Sequence, residues 1–373
     1  MLKVLHVYKT YLPEDNTGIP TVIHSLAEGL ADRGVENHVM AVYNDTAAVP
    51  TRIGRHHLHP MKASFTLASS SFSLQAARDF GRIVAPFDVV TYHFPWPFAD
   101  VLYFLHGQSK PSVVVYHSDI VRQRHLLRFY RFLMDAFLKS ADAIVATSPD
   151  YARTSETLCR HRSKVEVIPL GIGERRPPPP VRVEEWLRCV GSDFFLFVGS
   201  ARYYKGLPFL LEAARKTGLP VVIAGAVDRS EFGGIPIPSH VRLVGVVSEE
   251  DKECLLELCR AFVLPSHLRS EAFGVVLLEA ARAGRPMISC EIGTGTTYIN
   301  LDGETGFAVP PADPARLGEA MLRLAQDDAL AARLGANARA RFSLFRAETM
   351  CEAYLDLYRQ VLRRHRIRDR TGG

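Results

Sequence analysis

The chain has 373 residues, of which 47% are apolar and 23% charged, with 45 Lys and Arg against 40 Asp and Glu. That much apolar material excludes a disordered polymer, and no apolar run approaches the roughly 18 residues a membrane span requires. The net charge of +5 is too mild to imply a nucleic-acid partner. Six scattered cysteines, Cys159, Cys189, Cys254, Cys259, Cys290 and Cys351, match no zinc-ligand spacing and fit a reducing cytoplasm without disulfides.

The length suits two domains. Met1 leads at once into an apolar run, read as a buried strand and not as a signal peptide. In the first half the expected strands are Lys3–Tyr8, Glu36–Val42, Asp88–His93, Ser112–His117, Ala143–Ser148 and Val165–Leu170. Amphipathic helices are expected over Pro20–Arg33 and Ile120–Lys139. Strands rich in Val and Ile, apolar on both faces and separated by helices, predict a parallel sheet covered on both sides. Gly18 lies in the loop after the first strand, where a glycine lets backbone approach a ligand. His93 and His117 each close an apolar strand. An imidazole there can donate or accept at neutral pH, although a lone histidine is more often a structural hydrogen-bonder. Residues 171–180, Gly-Ile-Gly-Glu-Arg-Arg-Pro-Pro-Pro-Pro, read as a linker, because four prolines continue neither a helix nor a central strand.

A second alternating series follows. Its strands are Phe194–Val198, Pro220–Ala224, Val241–Val247, Ala261–Leu264 and Pro286–Cys290. Its helices are Leu207–Thr217, Glu249–Arg260, Phe273–Ala283 and Pro314–Gln326, and the chain closes on an amphipathic stretch, Ala347–Arg364. Two doubly wound α/β domains with a cleft between them is the economical reading. Arg202 and Lys205 follow Gly199, a planar fork and a point charge suited together to a diphosphate, though two surface cations would look the same. Glu271 falls in a loop at a strand's carboxyl end, where open parallel sheets bind ligands. Gly274 can open the helix that carries Glu279, whose charge among apolar neighbours is costly without a partner. Spacing alone leaves open a solvated loop acid and a helix-face acid. Gly293–Tyr298, small residues and hydroxyls, suits either an anion contact or a tight turn. Gly-x-Gly-x-x-Gly after the first strand, a Walker lysine and a Gly-x-Ser-x-Gly elbow are all absent, which argues against NAD, P-loop and hydrolase chemistry.

Taken together, the Gly18 loop, Phe87–His93, His117, Gly199–Gly206, Glu271–Glu279 and Thr305-Gly306-Phe307 resemble the retaining nucleotide-sugar glycosyltransferases of glycosyltransferase family 4. The glutamate pair with Phe273-Gly274 between is the most specific mark. The resemblance implies the α/β GT-B fold: two Rossmann-like domains facing a central cleft, with the C-terminal helix crossing back to the N-terminal domain. The acceptor domain would be residues 1–172 completed by 347–373, the Pro-rich linker 173–185, and the nucleotide-sugar domain 186–346. By position, Glu279 would hold the ribose hydroxyls and Glu271 hydroxyls of the transferred sugar, with Phe273, Gly274 and Val275 among the donor contacts. Arg202 and Lys205 would neutralise the departing diphosphate without a metal ion, since no Asp-x-Asp cluster is present. His117 would support the sugar at the chemical step, and Gly18 would approach the phosphates. Two positions depart from the family: Ile19 stands where a second glycine is frequent, and Ser200 where relatives carry an arginine.

The run His93-Phe94-Pro95-Trp96-Pro97-Phe98-Ala99-Asp100 resembles a bacterial subgroup that builds O-antigens and exopolysaccharides, many members transferring mannose or rhamnose. This implies a mannosyl donor such as GDP-mannose and a polyprenyl-linked glycan acceptor; a packed aromatic loop without sugar contact is the plain alternative. Arg122, Arg124, Arg128, Arg131 and Lys139 punctuate an apolar stretch, and the basic C-terminus Arg363–Arg370 adds charge. A basic amphipathic helix of this kind can rest on anionic lipid, which places the enzyme in the cytoplasm at the inner face of the plasma membrane; a core-facing helix with a solvated basic face is the alternative. A UDP-sugar donor, a soluble acceptor, or a catalytically silent sugar-nucleotide sensor are the competing readings.

Overall fold

The structure is a computed structural model. It describes residues 1–16, 18–67, 70–120 and 124–371, the side chains of 124–129, 229 and 368–371 aside. The chain forms two compact units, Met1–Gly171 with Ala347–Gly373, and Ile172–Arg346.

The first unit is built on β1 (Leu2–Val7), β2 (Val35–Tyr43), β3 (Arg52–Ile53), β4 (His56–Lys62), β5 (Phe65–Leu67), β6 (Ser70–Phe72), β7 (Val89–Phe94), β8 (Ser112–Tyr116), β9 (Ala143–Ala146) and β10 (Val165–Val167). Eight of these make one sheet in the order β10-β9-β8-β7-β1-β2-β4-β3, parallel except for β3 against β4, while β5 and β6 form a separate hairpin. Every residue of β7, β8 and β9 is buried, as their unbroken apolar sequences require of strands covered on both faces. Ile19–Ala31 and the C-terminal helix Ala347–Thr371 cover one face: Leu26, Leu30, Tyr354, Leu357, Tyr358 and Val361 join Val4, Val113 and Val115 in one core. Gly29 permits that packing, because a Cβ there would overlap the Cys351 thiol.

β4 lies where no strand is expected from sequence. In its run His56-His57-Leu58-His59-Pro60-Met61-Lys62 only His56, Leu58 and Met61 are buried, and Met61 falls out of step with the first two, so no clean period-2 pattern marks the strand. Pro60 is tolerated because β3 pairs only with His56 and His57, so the missing N–H faces no partner strand.

The second unit is a six-stranded, wholly parallel sheet of β11 (Phe195–Val198), β12 (Val221–Ala224), β13 (Val241–Gly245), β14 (Ala261–Leu264), β15 (Met287–Cys290) and β16 (Gly306–Val309), ordered β13-β12-β11-β14-β15-β16. Residues 173–185 are not a linker. Pro180 opens a helix, Pro180–Val190, since a proline at the first helical position loses no hydrogen bond and brings its φ preset. Arg175 is pinned by Glu253 and Glu257, both at 2.7 Å, and Arg282 donates to the Gly173 carbonyl at 2.7 Å, so the segment is part of this unit.

Candidate active site

In the second sheet the winding reverses between β11 and β14, and the carboxyl ends of such a strand pair are where open parallel sheets bind ligands. The loop after β11 is held by Gly199 N–H to Ala224 O and Ala201 N–H to Ala226 O, both 2.9 Å. A short turn, Tyr203–Lys205, then ends at Gly206, with φ of 72°. A Cβ on Gly206 would overlap the Pro265 carbonyl just past β14. That close approach joins the two loops: Lys205 Nζ reaches Glu271 Oε2 at 2.5 Å, and Ser266 Oγ donates to the same oxygen at 3.0 Å. Thr294 holds the Glu271 carbonyl at 2.7 Å from the loop after β15. Burial works against the Lys205 charge, but Glu271 and Tyr204 more than offset it and keep its pKa above the usual lysine range.

The two cations expected at the diphosphate therefore differ in kind. Lys205 is paired; Arg202 is exposed, and its guanidinium makes no hydrogen bond or ion pair among the described residues. An exposed, uncommitted fork beside a buried ion pair suits an incoming anion.

Gly274 caps the helix Val275–Arg282 in the left-handed region, φ 84°. The Phe273 ring is 4% exposed and packs on Gly295, where a Cβ would overlap it. The Phe273 ring thus joins the loop before Gly274 to the segment after β15. Val275 is the first helical residue and is half-buried. The stretch Gly293–Tyr298, left open as a turn or anion contact, runs into a short helix, Gly295–Ile299.

Glu279 finds the partner its burial demands in Lys252, with Nζ to Oε1 at 2.8 Å. Burial raises the Glu279 pKa and Lys252 opposes the rise. Lys252, also 2.8 Å from Glu249, is a residue that sequence reasoning missed. Its signal was a lysine three residues after Glu249, on an acidic helix start.

In the first unit, Gly18 is exposed and adopts φ 51° and ψ −114° at the start of Ile19–Ala31, a backbone conformation that favours glycine. His117 directly follows β8 and is 5% exposed. Its ring stacks on His93, with centroids 5.2 Å apart, and His93 in turn lies against His6 on β1. Burial lowers the His117 pKa to about 3. The aromatic run after His93 is core: Trp96 is fully buried and donates to Ser71 O at 3.0 Å, Phe98 is 6% exposed, and Phe94 stacks on Tyr116. This is the packed-loop alternative, with no aromatic face open to a sugar.

One group among the described residues brings three possible metal ligands together, His24, Glu28 and His56 in the first unit. Two of these donors are engaged already: His56 bonds Glu28 at 2.7 Å and Tyr11 at 3.0 Å, and Glu28 also accepts from the Arg55 N–H at 2.8 Å. The helix expected to be basic and amphipathic is Arg124–Ser140. Of its expected lipid-facing residues, Arg131 and Phe132 are exposed, Phe132 at 90%, whereas Phe137 is core. Arg122 and the side chains of Arg124, Leu126, Leu127, Arg128 and Phe129 lie outside the described residues, as do those of Arg368, Asp369 and Arg370. No helix among the described residues is long and apolar enough to cross a membrane.

Residues 16–176 match glycosyltransferase family 4 and residues 184–341 match the glycosyl transferases group 1. The chain is 48% identical over 348 residues to the D-rhamnosyltransferase WbpZ of Pseudomonas aeruginosa, covering 91% of each chain. It is 45% identical to the O-antigen chain mannosyltransferase C of Escherichia coli, covering 97% of this chain and 99% of that one. Among solved structures, sucrose-phosphate synthase from Thermosynechococcus elongatus superposes with a TM-score of 0.79 over 97% of this chain and 99% of that chain at 20% identity, which shows the fold. The matched families, the two full-length relatives and the pair of parallel sheets agree: the chain belongs to glycosyltransferase family 4, and it is a glycosyltransferase of the GT-B fold.

Proposed function

We propose that this enzyme transfers a sugar of manno configuration, mannosyl or 6-deoxymannosyl, from its GDP-activated donor to a hydroxyl of a lipid-linked glycan in O-antigen synthesis, with retention at the anomeric carbon. The observation that carries the choice of sugar is the near-complete match to two enzymes named for mannosyl and D-rhamnosyl transfer, since D-rhamnose is 6-deoxymannose. The second unit holds the donor. Arg202 takes the diphosphate, with Lys205 adding positive potential from its pair with Glu271. Glu271 accepts from hydroxyls of the transferred sugar and Glu279 from the ribose. Gly274 and Val275 bring backbone to the donor, and Gly18 brings backbone to the phosphates. His117 acts on the transferred sugar at the chemical step. Positive charge from Arg202 and Lys205 stabilises the leaving group in place of a divalent ion. The exposed Arg131 and Phe132 support peripheral contact with anionic lipid on the cytoplasmic side of the membrane.

The test is turnover by purified enzyme of labelled GDP-mannose, GDP-D-rhamnose, UDP-glucose and UDP-N-acetylglucosamine, with a polyprenyl-glycan extract and EDTA present. Transfer from a GDP-manno donor to give an α-linked product is expected. Transfer from a UDP-sugar alone, or activity that disappears in EDTA and returns with magnesium, contradicts the proposal.

A further inference from the structure

Four polar side chains cross the first sheet side by side. Asn37 comes from β2, His6 from β1 and His93 from β7, and His117 directly follows β8. The strands are neighbours, and the parallel registers Val4↔Asn37, His6↔Thr91 and His93↔Val115 put all four side chains on one face.

Their hydrogen bonds have one consistent direction. Asn37 Nδ2 gives its protons to the Ala27 and Val35 carbonyls at 3.0 and 3.2 Å. Turning the amide over would set its oxygen against two carbonyl oxygens, so Oδ1 is the atom facing His6 Nε2, at 3.4 Å. An amide oxygen only accepts, and His6 therefore carries its proton on Nε2. A neutral imidazole has one donor and one acceptor. His6 Nδ1 thus accepts from His93 Nε2 at 3.2 Å, and by the same step His93 Nδ1 accepts from His117 Nε2 at 2.9 Å. Burial keeps the three rings neutral at ordinary pH, with His6 lowered to about 4, His117 to about 3, and His93, beside two other imidazoles, well below the usual range.

We propose that Asn37, His6 and His93 are positioning residues that fix His117 as the Nε2–H tautomer and leave its Nδ1 as a lone-pair acceptor. Nδ1 has no protein hydrogen bond among the described residues. In that state His117 takes a hydroxyl donor, such as a sugar hydroxyl, and has no proton on Nδ1 to offer a carboxylate or phosphate. The catalytic consequence rests on the reading of His117 as the residue acting at the sugar; the tautomer does not.

The test is nitrogen-15 NMR of the histidine-labelled protein together with steady-state kinetics. Wild-type His117 should show a protonated, pyrrole-like Nε2 and a bare, pyridine-like Nδ1. His6→Phe breaks the relay and should release His117 into a mixture of tautomers, lowering kcat by about tenfold to a hundredfold, the range for loss of the outer partner of a metal-bound histidine, while donor KM stays nearly constant. His6→Gln should preserve tautomer and kcat, because its amide can accept from His93 and donate to Asn37. Asn37→Leu breaks the far end and serves should His6→Phe not fold. A wild-type Nδ1–H tautomer, or an unchanged His117 signature in both broken variants, overturns the proposal. The expected tautomer behaviour with normal turnover in His117→Ala supports the relay and refutes the catalytic reading of His117.

Discussion

The two parallel sheets reverse their winding at β1 with β7 and at β11 with β14, and the two places carry opposite chemistry. At the second lies the ion pair Lys205–Glu271, with a second pair, Lys252–Glu279, on the helices beyond. At the first is a row of imidazoles made neutral by burial, with their polarity set by one amide. Burial is high in both, so depth does not explain the difference; the partner does. A lysine kept beside a carboxylate stays charged, whereas an imidazole beside another imidazole has no opposite charge to offset desolvation and gives up its proton. A charged place suits a diphosphate, and a neutral one suits hydroxyls.

The ionic side breaks most visibly at Lys205. Lys205→Ala leaves the Glu271 carboxylate buried with only the Ser266 hydroxyl, and stability by urea unfolding should fall by about 3–5 kcal/mol. Lys205→Met combined with Glu271→Gln should cost much less, because no charge is stranded. Equal losses in the two proteins would mean the pair does not behave as a buried one.

On the neutral side, His117→Ala should reduce turnover by roughly a hundredfold or more, the range for a positioned catalytic group. Near-normal turnover would return His117 to a structural role.

The pH dependence of stability sharpens the contrast further. His6, His93 and His117 all have folded pKa values below the usual histidine value. The unfolded chain then binds more protons, so stability falls as pH drops from about 6.5 towards the folded values, each ring contributing at most about 1.4 kcal/mol per pH unit. His6→Gln removes one such group and should flatten the urea-unfolding slope between pH 6.5 and 4.5. A slope equal to wild type would show that His6 is not neutral in the folded protein.

The smallest effect is expected for Arg202→Ala without ligand. An exposed side chain with no ion pair should change stability by no more than about 0.5 kcal/mol, and a larger loss would reveal a structural role for it.

Much of this could be read in the sequence where local chemistry decides. The helices Leu207–Thr217 and Pro314–Gln326 fall at their expected ends because Gly206 and Gly218 bracket the first and Asp313 caps the second. The candidate donor-site residues of the second unit follow local signals too: Arg202, Lys205 and Glu271 stand after apolar strands, and Glu279 on the helix that Gly274 caps. What could not be read depends on residues distant in the chain. Lys252 is 27 residues from Glu279, and the imidazole row needs the strand order that sets β1 between β2 and β7. The helix Pro180–Val190 was obscured by counting prolines as breakers where the last of them is a start, and β4 by its histidines. The packing of the Phe273 ring on Gly295 also joins residues distant in the chain.

The most direct test of the division between the two sides is calorimetric titration of GDP into wild type, Arg202→Ala and His117→Ala. Loss of a charge-assisted contact contributes about 1.5–3 kcal/mol, so Arg202→Ala should weaken GDP roughly tenfold to a hundredfold, and His117→Ala should bind it within a few-fold of wild type. Unchanged affinity in Arg202→Ala, or an equal loss in both variants, would contradict the assignment of the diphosphate to the ionic side and the sugar to the neutral one.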